Sequence, residues 1–140
     1  MNTTDILSIM SSILHKANKV IEQKLTKNGI EGLVPSHMEI ILQLFENKSL
    51  TMNQLAKLIN KDKSTVTVLV RKLEKMGYIQ KSRDYEDARY YWISFSLTDK
   101  GNQTIPTFTT IFEQILSTIY QDFTEKEKAT IMELLTKIKF

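Results

Sequence analysis

Lys63 to Arg89, KSTVTVLVRKLEKMGYIQKSRDYEDAR, is the stretch that decides the fold. It reads as a helix stopped at Gly77, a strand, and a charged turn that closes on an arginine. On a wheel of about 100° per residue, Val66, Leu69, Val70, Leu73 and Gly77 share one side, with Ser64, Thr67, Val68, Arg71 and Lys75 on the other. A face that only meets solvent is normally rich in Glu and Lys. This one offers two hydroxyls, an apolar residue and an arginine. Hydroxyls and arginine reach base edges and phosphates, and an exposed valine suits a thymine methyl. The bland alternative is an ordinary amphipathic helix in a helical core. The polar outer face favours the nucleic-acid reading, in which the rest of the chain positions two copies of this stretch.

Working upstream, Asn60-Lys61-Asp62 is a short turn, and Asp62 is placed to cap the helix that follows. Before it, Thr51 as N-cap and Gln54 three residues into the helix open a short helix to Ile59, with Leu55, Ala56 and Ile59 inward. Two short helices joined in this way make a helix-turn-helix. Further back, Ser36-His37-Met38-Glu39 after Pro35 has the capping-box pattern and starts a helix through Phe45, whose buried stripe is Met38, Ile41, Leu42 and Phe45. The first segment, about Asp5 to Lys27, sets Ile6, Ile9, Met10, Ile13, Ala17, Val20 and Ile21 at helical spacing and ends at Asn28-Gly29.

Downstream, Tyr78 to Ser82 reads as a strand, Arg83 to Arg89 as a loop, and Tyr90 to Leu97 as the return strand, with Tyr91, Ile93, Phe95 and Leu97 on one face. Asp87, two residues before Arg89, is placed to hold that guanidinium in a fixed pose. The alternative is a solvated hairpin tip. Thr98-Asp99-Lys100-Gly101 begins a helix with a stripe of Ile105, Phe108, Ile111, Phe112, Ile115, Leu116 and Ile119, ending near Phe123. Pro106 should kink it, or restart it near Thr104. Thr124-Glu125-Lys126-Glu127 opens a last helix with apolar Ile131, Leu134, Leu135 and Ile138. These terminal helices exceed what a helix-turn-helix needs, and pairing them with a second subunit is the economical way to bury them.

Composition narrows the function. The 140 residues suit one domain, and 41% hydrophobic content supports a packed core. There is no cysteine, which excludes disulfides, thiolate metal sites and thiol redox sensing. With only His15 and His37 besides, a dedicated metal site is not expected, nor is any other cofactor. No apolar run approaches the roughly 18 residues needed to cross a bilayer, and no basic segment precedes the first apolar residues. A soluble, cytoplasmic protein is expected, with no membrane partner. Net charge is +3, yet Lys57 to Arg89 alone holds nine bases against five acids. The basic excess is therefore local, as a polyanion footprint requires. No Gly-rich phosphate loop and no nucleophile with a base appear, so no catalytic residue is named and an enzyme is not expected.

The order of helices, with Thr51 to Ile59, Asp62-Lys63-Ser64-Thr65-Val66-Thr67, Leu69-Val70, Leu73-Glu74, Gly77, Asp87-x-Arg89 and Leu97-Thr98-Asp99-Lys100-Gly101, resembles the MarR family of bacterial transcriptional regulators over nearly the whole chain. The resemblance implies a mainly α fold with a small antiparallel β-wing. It implies a winged helix-turn-helix lobe at 35–97, N- and C-terminal dimerisation helices at 1–30 and 98–140, and one domain over 1–140. It further implies a homodimer that binds an inverted repeat in double-stranded DNA and usually represses transcription. In many members a small anionic or phenolic effector enters a cleft between the dimerisation helices and the DNA-binding lobe and releases the DNA.

Carried over by position, Ser64, Thr65 and Thr67 contact the operator, and Arg89 enters the minor groove, held by Asp87. Lys63, Val68, Arg71 and Lys72 complete the expected DNA-binding set. Val68 stands where the family often has a basic residue, and Arg71 and Lys72 are near enough to compensate. Seven residues separate Arg89 from Leu97. The usual pattern has about five, and a two-residue insertion lengthens the wing without flipping its faces. His15, His37, Phe108 and Phe112 are the candidate effector-binding residues, although a dimer core is the plainer use of the two aromatics. The rival from another class is a winged helix kept as a protein-interaction module with no DNA role.

Overall fold

Four of the seven α-helices in this chain begin where a side chain takes over an orphan backbone N–H. Thr51, Asp62, Thr98 and Thr124 each accept from an N–H in the first turn of the helix they open. The computed structural model describes residues 1–140. After a 3-10 turn at Thr3–Asp5 come α1 (Ile6–Lys27), α2 (Pro35–Asn47), β1 (Leu50–Thr51), α3 (Met52–Leu58) and α4 (Lys63–Lys75). Then follow β2 (Ile79–Tyr85), β3 (Tyr91–Leu97), α5 (Asp99–Gln103), α6 (Ile105–Ile119) and α7 (Glu125–Thr136). No helix is long and apolar enough to cross a membrane.

The start of α2 departs from the expected Ser36–Glu39 box. Val34 is the N-cap, Pro35 occupies the first turn, and the Val34 N–H donates to His37 Nδ1 at 2.9 Å. Proline has the fixed φ that a first helical residue needs and no N–H to satisfy there. That puts His37, not Glu39, in reach of the cap. The buried stripe shifts as well: His37, Met38, Ile40, Ile41 and Leu44 are buried, while Phe45 is 55% exposed. Because α2 packs against α3, α4, α6 and β3, its buried arc is wider than a single-stripe reading allows.

The sheet has three antiparallel strands in the order β1-β3-β2. Beyond the expected hairpin, β1 is a two-residue strand pairing Leu50 with Phe95 and Thr51 with Ser94. The β2–β3 ladder runs from Ile79 opposite Leu97 to Tyr85 opposite Tyr91. The first strand thus continues three residues past Ser82, and Glu86 to Tyr90 makes the tip. Side chains hold this extension: Ser94 Oγ donates to Asp84 Oδ2 at 2.5 Å, and the Arg83 guanidinium sits 4.7 Å from the centre of the Tyr91 ring. Tyr91 shares the face of Ile93, Phe95 and Leu97 but lies beyond the core and is exposed.

Leu25, Ile40, Ile41, Leu44, Leu55, Val66, Val70, Leu73, Ile79, Phe108 and Ile111 make the most deeply buried part of a single core, so α4 is anchored by its inner face. The helix after the wing breaks at Thr104, with Pro106 inside the first turn of α6, and ends at Ile119, ahead of the expected Phe123. Beyond it Tyr120 and Phe123 pack edge to face. Gly101 is required by contact: a Cβ there would come within 2.2 Å of the Tyr78 carbonyl oxygen. The terminal helices remain largely uncovered. Only Ile21 and Leu25 of α1 are buried, α7 buries nothing, and Leu7, Ile13, Leu14, Phe112, Leu134 and Leu135 are exposed.

Candidate nucleic-acid interface

The site begins at the N-cap of α4. Asp62 Oδ1 accepts from the Thr65 N–H at 2.7 Å and from Ser64 Oγ at 2.8 Å. The Thr65 backbone bond first, and then the Ser64 hydroxyl, hold the Asp62 carboxyl below its usual range, so the cap stays charged at neutral pH. Thr67 Oγ1 donates to the Lys63 carbonyl at 2.7 Å. Both hydroxyl protons are thus engaged within the helix, and the oxygens keep acceptor capacity for a ligand.

Lys63, Ser64, Thr65, Val68, Arg71 and Lys75 are exposed along this helix, with Val68 at 67%. The only ion pair in the chain joins Lys128 to Glu125. Lys63, Arg71 and Lys75 are therefore unpaired cations on one exposed surface. Lys72 is also exposed and unpaired, but its side chain runs elsewhere. Its Nζ lies 3.8 Å from where a Cβ on Gly32 would be, toward the start of α2. There its charge reinforces burial in holding the His37 imidazole down at about 4.

The wing tip corrects the expected pairing of Asp87 with the Arg89 guanidinium. Asp87 Oδ1 instead accepts the backbone N–H groups of Arg89, at 2.7 Å, and Tyr90, at 3.2 Å. A short Asp side chain reaches the backbone two residues on more readily than it reaches a guanidinium. Asp87 thus fixes the turn, while the Arg89 side chain is left without a carboxylate, its guanidinium 5.9 Å from the centre of the Tyr90 ring. Around it Tyr85, Tyr90, Tyr91 and Trp92 are all exposed. The strand alternation would have drawn attention to these rings had the ladder been read to its full length.

The four effector candidates do not converge. Phe108 is sealed in the core, and His37 is buried with Nδ1 occupied by the Val34 N–H. His15 and Phe112 are exposed, on α1 and α6. One surface depression is lined by Lys19, Glu22, Gln23, Thr26 and Lys27, and another lies where α6 meets α7, around Leu116, Tyr120 and Phe123. None of the four candidates lines either. Phe108 is engaged in core packing and His37 in holding the start of α2.

Known proteins share this arrangement. AdcR, a transcriptional regulator of Streptococcus pneumoniae, is 28% identical over 137 residues, covering 96% of this chain and 92% of that protein. The transcriptional repressor YetL of Bacillus subtilis is 29% identical over 126 residues, 88% of this chain and 72% of its own. Among solved structures, MepR of S. aureus in complex with DNA is 25% identical with a TM-score of 0.78, covering 97% of this chain and 93% of that one. The MarR family profile matches residues 33–91, which carry the capped α2, both helices of the helix-turn-helix, and the wing through Arg89. With that segment matched to the MarR family and the full-length likenesses extending over the terminal helices, the chain is similar throughout to winged-helix transcriptional regulators of the MarR type.

Proposed function

We propose that two copies of this chain form a homodimer that reads an inverted repeat in double-stranded DNA and represses transcription there. In this reading, α4 of each copy enters a major groove and Arg89 of each wing enters the minor groove beside it. The observation that carries it is the outer face of α4, where Ser64, Thr65, Val68 and Arg71 stand exposed with no carboxylate paired to the arginine. Lys63 adds charge at the N-terminal end of that face. Residues 35–97 then form the DNA-binding lobe. Residues 1–30 and 98–140 form the dimerisation region, a division supported by the exposed apolar residues of α1, α6 and α7. MepR, of the same fold, has been solved on DNA. The YetL name supports repression over activation. No catalytic activity is assigned.

Within this proposal, a small anionic or phenolic effector acts by binding better to a dimer whose α4 spacing no longer matches one duplex turn. The test is fluorescence anisotropy on a duplex that the protein itself selects from a randomised pool. The expected result is affinity at least about a thousandfold above that for a scrambled duplex, falling steeply with salt. Equal, salt-insensitive affinity for both duplexes contradicts it and favours a protein-interaction module.

A further inference from the structure

The contacts at the two ends of a recognition helix set how its reading face is presented. The N-terminal end of α4 is held by Asp62, within its own segment. The C-terminal end is held from elsewhere. Gly77, with φ +83°, closes the helix: its N–H donates to the Glu74 carbonyl, and the next N–H, of Tyr78, donates to the Leu73 carbonyl. The three carbonyls that leave this turn all accept from the residues that open α5. Lys100 Nζ donates to the Met76 carbonyl at 2.7 Å, Thr98 Oγ1 to the Gly77 carbonyl at 2.5 Å, and the Thr98 N–H to the Tyr78 carbonyl at 3.1 Å. Thr98 Oγ1 also accepts the Gly101 N–H, so one hydroxyl joins the end of α4 to the start of α5. The Lys100 ammonium lies 4.4 Å from the centre of the Tyr78 ring, and Gly101 lets the two backbones touch.

We infer that Thr98 and Lys100 are positioning residues for DNA reading: they clasp the outgoing end of α4 to the helix that leads into α6, so the scaffold sets the pose of the reading head. The inference rests on the DNA reading above. Lys100 acts here through a carbonyl and a ring.

The variants are Lys100→Met and Thr98→Val, each with its conservative partner, Lys100→Arg and Thr98→Ser. The probes are the duplex selected by the wild-type protein and a scrambled duplex of equal length. Binding is measured at a temperature where circular dichroism shows every variant fully helical. Lys100→Met should weaken binding to the selected duplex about tenfold, as loss of a charge-assisted hydrogen bond implies. Binding to the scrambled duplex should stay within about twofold, and the salt slope should not change, because no counterion-releasing contact is lost. Thr98→Val should act in the same direction, and Thr98→Ser and Lys100→Arg should restore most of the affinity. Without DNA, the amide resonances of Leu73 to Tyr78 should move in Lys100→Met and return in Lys100→Arg.

Unchanged affinity for the selected duplex overturns the clasp. So does a parallel loss on both duplexes with a shallower salt slope, which would make Lys100 a phosphate contact. Failure of the wild-type protein to select any duplex contradicts the DNA reading instead, and it appears before any variant is made.

Discussion

Asp87 and Arg89 are joined through the backbone: the carboxylate accepts the arginine's N–H at 2.7 Å and leaves its guanidinium without an acidic partner. The same oxygen accepts the Tyr90 N–H, so one side chain shapes the tip that carries the base. The acid orders the turn and does not neutralise the charge, which answers why a wing meant for a polyanion tolerates acids at its end.

Separate effects follow for the two residues. Arg89→Ala should cost DNA binding about 1–3 kcal/mol if the guanidinium reads the groove. Asp87→Ala should cost less, on the order of 1 kcal/mol, by freeing the turn. In the double variant the costs should fall short of additive, since a loosened turn has no arginine left to misplace. Anisotropy titrations at fixed salt measure all three. Unchanged affinity in Arg89→Ala removes that residue from the interface.

Arg71 and Lys72 are neighbours in sequence that point to different work. Arg71→Ala should lower the slope of log affinity against log salt by about one, the signature of a lost phosphate contact. Lys72 lies against Gly32 and near His37, so Lys72→Ala should change that slope by less than half as much. Equal slopes for the two variants would mean that Lys72 turns to the DNA as Arg71 does.

His37 links acid stability to the start of α2. Burial, and then the Lys72 charge, lower its pKa to about 4 from an ordinary 6.5. Between these values the unfolded chain takes up a proton that the folded chain refuses. Stability from this source is whole above pH 6.5 and is lost as pH falls toward 4. His37→Gln keeps an acceptor for the Val34 N–H and removes the titration. Its urea midpoint should fall less steeply over that window, at a cost of about 1 kcal/mol at neutral pH. A slope identical to that of the parent contradicts the assignment.

What could be read in advance was local. Thr51, Asp62 and Thr124 cap the helices the sequence assigns them, because a cap depends on residues three apart, and Thr98 caps the helix that its segment begins. The inner face of α4 was legible for the same reason: Val66, Val70 and Leu73 follow the helical period into the core. The start of α2 was not, since Pro35 and Ser36 both signal a start and the backbone follows the proline. Two residues of β1 leave no periodic trace, and their pairing with Phe95 and Ser94 is set by the tertiary fold. At the wing, acidic and basic residues suggested a loop, yet cross-strand contacts carry the ladder through Arg83, Asp84 and Tyr85. The bond from Lys100 to the Met76 carbonyl spans 24 residues and has no local signature. Of the expected site, α4 lies where its period and its cap place it, the tip is shorter than the expected Arg83–Arg89 loop, and Phe108 and His37, candidates by residue type alone, are engaged in the core and at the start of α2.

If a twofold assembly presents two α4 helices one duplex turn apart, their separation can be measured directly. The chain has no cysteine, so Lys75→Cys carries a single spin label per subunit, at the exposed end of α4. Double electron–electron resonance on the protein bound to its selected duplex should give one narrow distribution centred near the helical repeat, at about 30–40 Å once label linkers are included. Absence of dipolar coupling, or a separation well outside that range on bound duplex, would mean that the two helices do not read one face of the duplex together.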